Sequence, residues 1–328
     1  MDNITSKSFI LNSYILNGDG SGNIVNEKNL IDALKDERPA WVHLDGMNPE
    51  TRDWLKKNIS YLDPLILNGL LAEETRPRIS ETNDGALIIL RGVNLNEGSD
   101  PTDMISVRIW VDKHRIISIH RRPLKAIADI QKRLAENTGP RNTGEIVIQI
   151  AQRLFERMEP VLLDLDDRID TIEERILENP APSERQEIVA IRKNAILLRR
   201  YIAPHKEVLN ALRLSEQKWL ETSQKRYIQE SLDRITRYVE DLDAMRERAQ
   251  VIKDELANML SDRLNKNLYI LSIISAIFLP LGFFTGLMGI NIGGMPGVDN
   301  GNAFWIFTGS LILMVAIQMI IFKKLKWF

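Results

Sequence analysis

The sequence predicts an α+β membrane protein: an N-terminal α/β domain, an acidic helical hairpin, and a very long stalk helix that continues into the first of two C-terminal transmembrane helices. Three observations predict it. Residues 268–288 and 303–322 are apolar runs without a charged side chain. The opening 125 residues interleave β-branched runs with amphipathic stretches. Between Glu216 and Pro280 there is no helix breaker.

In chain order, residues 1–140 read as the α/β domain. SFILNSYIL, PAWVHLDG, GALIILRGVN, ISVRIWVD and RIISIHR are strand-like, and helical patterns lie at about 49–60, 62–73 and 124–137. Asp112–His114 reads as a hairpin turn between the last two strands. The loop Asn17–Lys28 spaces oxygen-bearing side chains like a calcium loop, with Gly22 at its sixth place. Lys28 stands where a bidentate Glu is needed, which favours a plain turn.

Residues 141–215 read as an antiparallel helical hairpin. Leu154, Met158, Val161, Leu165, Ile169, Ile172 and Ile176 repeat at helical spacing, as do Ile188, Ile191, Ala195, Leu198 and Ile202. Between the arms lies ENPAPSE, with a Ser183-x-x-Gln186 capping box. The first arm is acidic and includes Asp164, Asp167, Glu173 and Glu174. It is either a solvated face or a cation-attracting surface with candidate metal sites.

Residues 216–267 are the stalk. Continued to the end of the first span, the helix covers some 70 residues, roughly 110 Å. A helix of that length needs partners, most simply copies of itself. Ile228, Leu232, Ile235, Val239, Leu242, Ala249, Ile252 and Leu256 form a face that can pack between helices.

Residues 268–288 and 303–322 each suffice to cross a hydrocarbon core of roughly 30 Å. Arg263 and Lys266 precede the first span, and Lys323, Lys324 and Lys326 follow the second. The loop 289–302 has no Lys or Arg. The excess of basic residues puts both termini, including the basic tail 323–328, in the cytoplasm. Trp305 and Trp327 suit interfacial anchors. Pro280 is tolerable inside a membrane helix when a neighbour satisfies the freed carbonyl, and Gly282-x-x-x-Gly286 allows close helix approach.

Composition excludes several classes. The chain has 328 residues, 43 Lys and Arg against 45 Asp and Glu, and a formal charge of −2. It lacks the basic surface of a general nucleic-acid binder. Cysteine is absent and the four histidines are scattered, so disulfides, thiolate zinc sites and HExxH chemistry are out. No Walker motif or nucleophile elbow suggests an enzyme, and no cofactor is expected. The N-terminus is too polar for a signal peptide.

One helix face can be followed from the stalk into the membrane: Asp254, Asn258, Ser261, Asn265, Leu268, Ser272, Ser275, Leu279, Gly282, Gly286. Below the membrane this can be a plain exposed face. Within it, a polar stripe faces a bundle interior or a water-filled path. With several copies around an axis it would line a pore, and Leu268 and Leu279 would form apolar rings able to gate by dewetting.

The first span ends in Gly289-Ile290-Asn291, and GGMPG follows. This motif resembles the Gly-Met-Asn signature of CorA-type metal-ion transporters, and the resemblance extends over the whole domain order. Ile290 in place of Met, with GGMPG, is similar to the ZntB branch, associated with zinc. The resemblance implies a homopentameric funnel in a bacterial inner membrane, with the first span lining the pore. It also implies that Gly289, Ile290 and Asn291 form the ion entry, Asn291 offering its amide oxygen to a hydrated cation. Asp299, the one outer charge, can concentrate cations there. The chain departs from magnesium-transporting relatives at Gly297, Leu279 and Gly282. No Asp, Glu or His lies inside either span to carry the branch's proposed proton coupling. The expectation is a self-associating carrier of divalent cations, zinc foremost. The alternatives are a magnesium or cobalt channel gated by cytoplasmic metal, and a membrane-anchored scaffold.

Overall fold

A computed structural model describes residues 8–290, 297 and 299–324. It divides into two compact units at Asp254/Glu255. Helix α9 (Lys225–Met288) contributes to both.

The first unit is built on a seven-stranded sheet. Its strands are β1 (Ile10–Leu16), β2 (Gly22–Ile24), β3 (Ala40–Asp45), β4 (Arg78–Glu81), β5 (Gly85–Gly92), β6 (Ile105–Asp112) and β7 (Arg115–His120). Their order is β2-β1-β3-β7-β6-β5-β4, and only the β3–β7 pair is parallel. β3, β5, β6 and β7 are buried almost throughout, as strands covered on both faces must be. One face packs on α1 (Glu27–Lys35), α2 (Pro49–Asn58) and α3 (Pro64–Leu71) through Val42, Leu44, Leu87, Ile89 and Ile117. α4 (Lys125–Ala135) and α5 (Thr143–Glu156) complete the layers, and α5 lies against β5 and β6.

All five strand-like runs are strands, and the three helical patterns are α2, α3 and α4. The Asp112–His114 turn joins β6 to β7, with Asp112 Oδ1 accepting from the His114 and Arg115 backbone N–H groups at 2.9 Å. The Asn17–Lys28 segment is a local turn followed by β2 and the start of α1. Asp19 accepts from the Ser21 backbone and hydroxyl at 2.9 and 2.6 Å.

The helical region departs from the hairpin reading in four places. The run through Met158 is two helices, α5 and α6 (Glu159–Glu178). Pro160 removes a helical donor at the break. Arg157, at the break, donates from Nε and Nη2 to the two Asp129 oxygens at 2.9 and 2.7 Å. Ser183 does not cap α7 (Glu184–Ile202): it is already helical, at φ −61° and ψ −34°, so its hydroxyl cannot reach forward. After Pro204 an unexpected helix, α8 (His205–Leu214), forms on Val208, Leu209 and Leu212. The long helix starts at Lys225, because Trp219 and Leu220 are buried in a loop and a capping box pairs Glu221 with Gln224. Gln224 Nε2 then donates to Asn142 Oδ1 at 2.9 Å, and Asn142 Nδ2 donates to Glu221 at 2.9 Å.

Up to Leu256 the buried face of α9 contains the expected residues, with Ser231, Tyr238 and Met245 added. Arg199 of α7 pairs with Asp243 at 2.7 Å, so the lower part of α9 already has partners within its own chain.

The second unit pairs the remainder of α9 with α10 (Ala303–Lys324). Both helices are long and apolar enough to span a bilayer. Pro280 lies inside α9 without ending it. A proline cannot donate to the carbonyl four residues back, here Ala276. Gln318 of α10 supplies the missing donor, its Nε2 reaching Ala276 O at 3.3 Å. Gln318→Leu is therefore expected to lower the stability of the detergent-solubilised protein by about 1 kcal/mol, read as a lower thermal midpoint. An unchanged midpoint would show that the proline site needs no partner.

His43, His120 and His205 are buried. His43 Nδ1 meets Ser118 Oγ at 2.7 Å and Nε2 meets His120 Nδ1 at 2.9 Å. His205 accepts at Nε2 from the Arg91 backbone N–H at 3.0 Å and donates from Nδ1 to Ile202 O at 3.0 Å, which fixes its tautomer. Burial pushes His205 down from 6.5 to about 4, pushes His120 down to about 4, and holds His43 well below its ordinary value. The unfolded chain then takes up protons first, so this stability is complete above the unfolded value and is lost as pH falls toward the folded one. From His205 alone the loss is about 2 kcal/mol near pH 5. Thermal melts of the wild type should fall between neutral pH and pH ~5, and His205→Gln should flatten part of that slope.

Candidate functional site

In the second unit, α9 shows two unlike faces. Ile273, Ala276, Ile277, Pro280 and Leu281 are half-buried, and this is the side on which Gln318 of α10 reaches Ala276. Leu268, Ser272, Ser275, Leu279, Gly282 and Gly286 are exposed. At 3.6 residues per turn these six lie along one line, more than a quarter turn away from the centre of the α10 side. Asn258, Ser261 and Asn265 continue the line toward the N-terminus and are exposed as well. The expected stripe is thus one continuous helix face without a partner among the described residues of its own unit.

The stripe's chemistry is mild. Ser272 donates its hydroxyl back to Leu268 O at 2.8 Å, leaving its oxygen outward as an acceptor. Methyl groups built on Gly282 or Gly286 would meet nothing within 4 Å, so a second helix can come to backbone distance there. In the first unit, Asp254 accepts from Gln250 Nε2 at 2.9 and 2.8 Å and has Lys253 Nζ at 3.7 Å.

At the end of α9 the Gly289 N–H closes the helix on Thr285 O and Gly286 O at 3.0 and 3.1 Å. Ile290 and Asp299 are exposed. Asn291 and most of GGMPG lie outside the described residues, as do Lys326 and Trp327. Trp305 is exposed near the start of α10, and Lys323 and Lys324 occupy its last turn.

Part of the acidic arm, α6, is engaged by one residue. Arg248 of α9 pairs with Asp170 at 2.6 Å, with Glu173, and more loosely with Asp166 at 3.9 Å. Of the candidate metal residues, Glu173 is thus committed to a cation of the chain itself. Asp164, Asp167 and Glu174 are exposed. Among the described residues, no three His, Asp or Glu side chains are arranged to hold a metal ion. Neither Arg248 nor Gln318 was singled out by the sequence reading. Gln318 carried a signal, being the one carboxamide within the second apolar run. Arg248 carried none, because which carboxylates it meets depends on how α9 packs on α6.

The family model described as CorA-like Mg2+ transporter protein matches residues 36–324. The divalent cation transporter CmaX of Pseudomonas aeruginosa is 34% identical over 322 residues, covering 97% of this chain and 96% of that protein. The zinc transport protein ZntB of Pectobacterium carotovorum is 35% identical over 317 residues, covering 97% and 95%. Among solved structures, full-length CmaX superposes with a TM-score of 0.85 at 33% identity, over 98% of this chain and 100% of that one. The CorA magnesium transporter of Methanocaldococcus jannaschii shares the fold, with a TM-score of 0.80 at 18% identity over 98% and 100%. Sequence, domain order and fold agree, and the chain belongs to the CorA-like family of divalent-cation transporters.

Proposed function

We propose that this chain is a zinc-conducting transporter of a bacterial inner membrane, assembled as a homopentamer whose pore is lined by the exposed stripe of α9. The observation that carries this reading is the stripe itself. It is polar or small over most of its length, continuous from Asn258 to Gly286, and in its membrane stretch set away from the α10 contact at Ala276, with Gly282 at the edge of a groove shared with α10. A lipid-facing surface needs no serines or glycines, and a rotational assembly converts such a face into a lumen. Leu268 and Leu279 would be the narrow apolar rings, and Ser272 and Ser275 hydration sites between them.

In this reading Gly289 and Ile290 end the helix so that Asn291 presents its amide oxygen at the mouth, with Asp299 drawing cations toward it. A neutral oxygen ring receives the water shell of a divalent ion without holding it tightly, as conduction requires. Both termini are placed in the cytoplasm by the positive-inside rule. Asp254 then stands at the inner end of the stripe, and Asp164, Asp167, Glu173 and Glu174 offer a weak electrostatic attraction to cytoplasmic cations. Zinc is supported by the ZntB relative and by Ile290 and GGMPG. A proton-coupled mechanism would need a carrier outside the two spans. Magnesium or cobalt conduction by the same pore is the second reading, supported by the family description.

Uptake into proteoliposomes separates the two. Asn291→Ala is expected to assemble normally and to lose at least about tenfold in zinc flux, the equivalent of ~1.4 kcal/mol at the mouth. Magnesium flux that collapses as internal magnesium rises would favour the gated-channel reading, and zinc flux that ignores Asn291 would remove the proposed mouth. The pore geometry has its own test, since the chain has no cysteine. Ser275→Cys and Leu279→Cys should react quickly with a water-soluble thiol reagent, and Ile277→Cys slowly. Equal rates at the three positions would place the lumen elsewhere.

A further inference from the structure

The first unit holds a cleft of about 700 Å³ that the transport reading does not use. It opens at one end of the sheet, on the face covered elsewhere by α1, α2 and α3. The strand register places Arg108 beside Ile89 and Ile119, and Ser106 beside Arg91. Alternation along the strands therefore gathers Arg91, Ser106, Arg108 and Arg121 on that one face. Arg108 is the innermost, at 1% exposure. Its Nη2 donates to the carbonyls of Ala72 and Glu73 at 2.7 and 3.1 Å. Its Nε and Nη1 have no partner among the described residues. The hydroxyl of buried Thr75 and the Nε of Arg91 on the same wall are also without one.

A guanidinium so placed poses a problem of charge. Burial lowers Arg108 to about 10, which leaves it cationic at neutral pH. A buried charge is costly unless it is paired. Two of the three carboxylates at hand are spent: Glu73 pairs with Arg121 at 3.4 Å, and Asp103 pairs with Arg122, while Glu74 acts on Arg91. The cleft is lined by six arginines against three carboxylates. Arg91 also lies over the ring of Tyr201, 4.3 Å from its centre, which holds the guanidinium in a fixed plane.

We propose that this cleft is a binding site for a phosphoryl oxyanion, with Arg108 and Thr75 donating to its oxygens at the floor and Arg91 and Arg200 closing over it. Planar N–H forks match phosphate oxygens bidentately, and the excess of guanidinium groups selects a multivalent anion over a monovalent one. The volume exceeds that of phosphate alone and lies in the range of small-molecule sites, so an attached organic group has room beside Tyr201. Free phosphate, pyrophosphate and a nucleotide share this chemistry.

The test is calorimetric titration of the full-length protein in detergent, at constant ionic strength, with inorganic phosphate, pyrophosphate and ATP in separate runs. The expected result is one site per chain for at least one probe, weakened by about tenfold or more in Arg91→Gln and Arg200→Gln. Arg38→Gln, whose guanidinium pairs with Asp36 away from the cleft, should bind as the wild type does. Arg108→Met is the most direct variant, and the two rim variants keep the result decisive if it fails to fold. Equal affinity for phosphate and ATP assigns the site to the free anion, and much tighter ATP binding assigns it to a nucleotide. No binding of any probe at millimolar concentration overturns the proposal. So does binding that the rim substitutions leave unchanged, or that chloride displaces as readily as phosphate does.

Discussion

Continuity of one helix is the constraint on which the remainder depends. α9 runs 64 residues without a break. In an unbroken helix the rotation at one end fixes which side chains share a face everywhere else, at 3.6 residues per turn. Its start is held by Asn142, whose oxygen accepts from both the Glu145 N–H and Gln224 and whose amide donates to Glu221. Ile228 and Ile235 are set into the core of the first unit, and the same periodicity puts Leu232, Val239 and Leu242 on that face. Within the membrane-spanning stretch the one residue able to break the helix is Pro280, and the carbonyl it frees is met by Gln318.

The two units solve burial differently. The first is a layered sheet whose central strands are covered on both faces; some of its buried polar groups meet one another, as in the Ser118–His43–His120 chain, and Arg108 is an exception. The second, among its described residues, buries Leu256 and Phe322 and leaves most of its apolar side chains exposed. Its apolar surface is that of a bilayer solute, and its one polar line is the part that lipid would not stabilise. The same helix thus carries a soluble-protein core face in one stretch and an exposed line of small and polar residues along an apolar stretch.

Much of this was legible in the sequence, for reasons that differ by element. β3, β5, β6 and β7 are long β-branched runs, and the two spans are uncharged, so each announces itself locally. β2 and β4 have only three and four residues and owe their existence to the strands beside them. The α5–α6 break was hidden because Leu154, Met158 and Val161 keep helical spacing across it, while Arg157 and Asp129 meet only in the fold. Ser183 had the right neighbours for a cap but the wrong backbone. Of the candidate site, the stripe was readable as periodicity and the Asn291 motif as resemblance. Arg108 was not readable, since a strand arginine reveals its isolation only when the register shows what stands opposite.

The pairing of Pro280 with Gln318 bears on how the chain can vary. The proline without the glutamine leaves a backbone acceptor unmet in an apolar setting, and the glutamine without the proline leaves an amide donor unmet. The two states differ in severity, because a flexible side-chain amide can turn to another carbonyl and a helix carbonyl cannot move. Of the two single states, the glutamine without the proline is therefore the less costly and the proline without the glutamine the more costly. Two positions 38 residues apart are thus energetically coupled through a single backbone carbonyl.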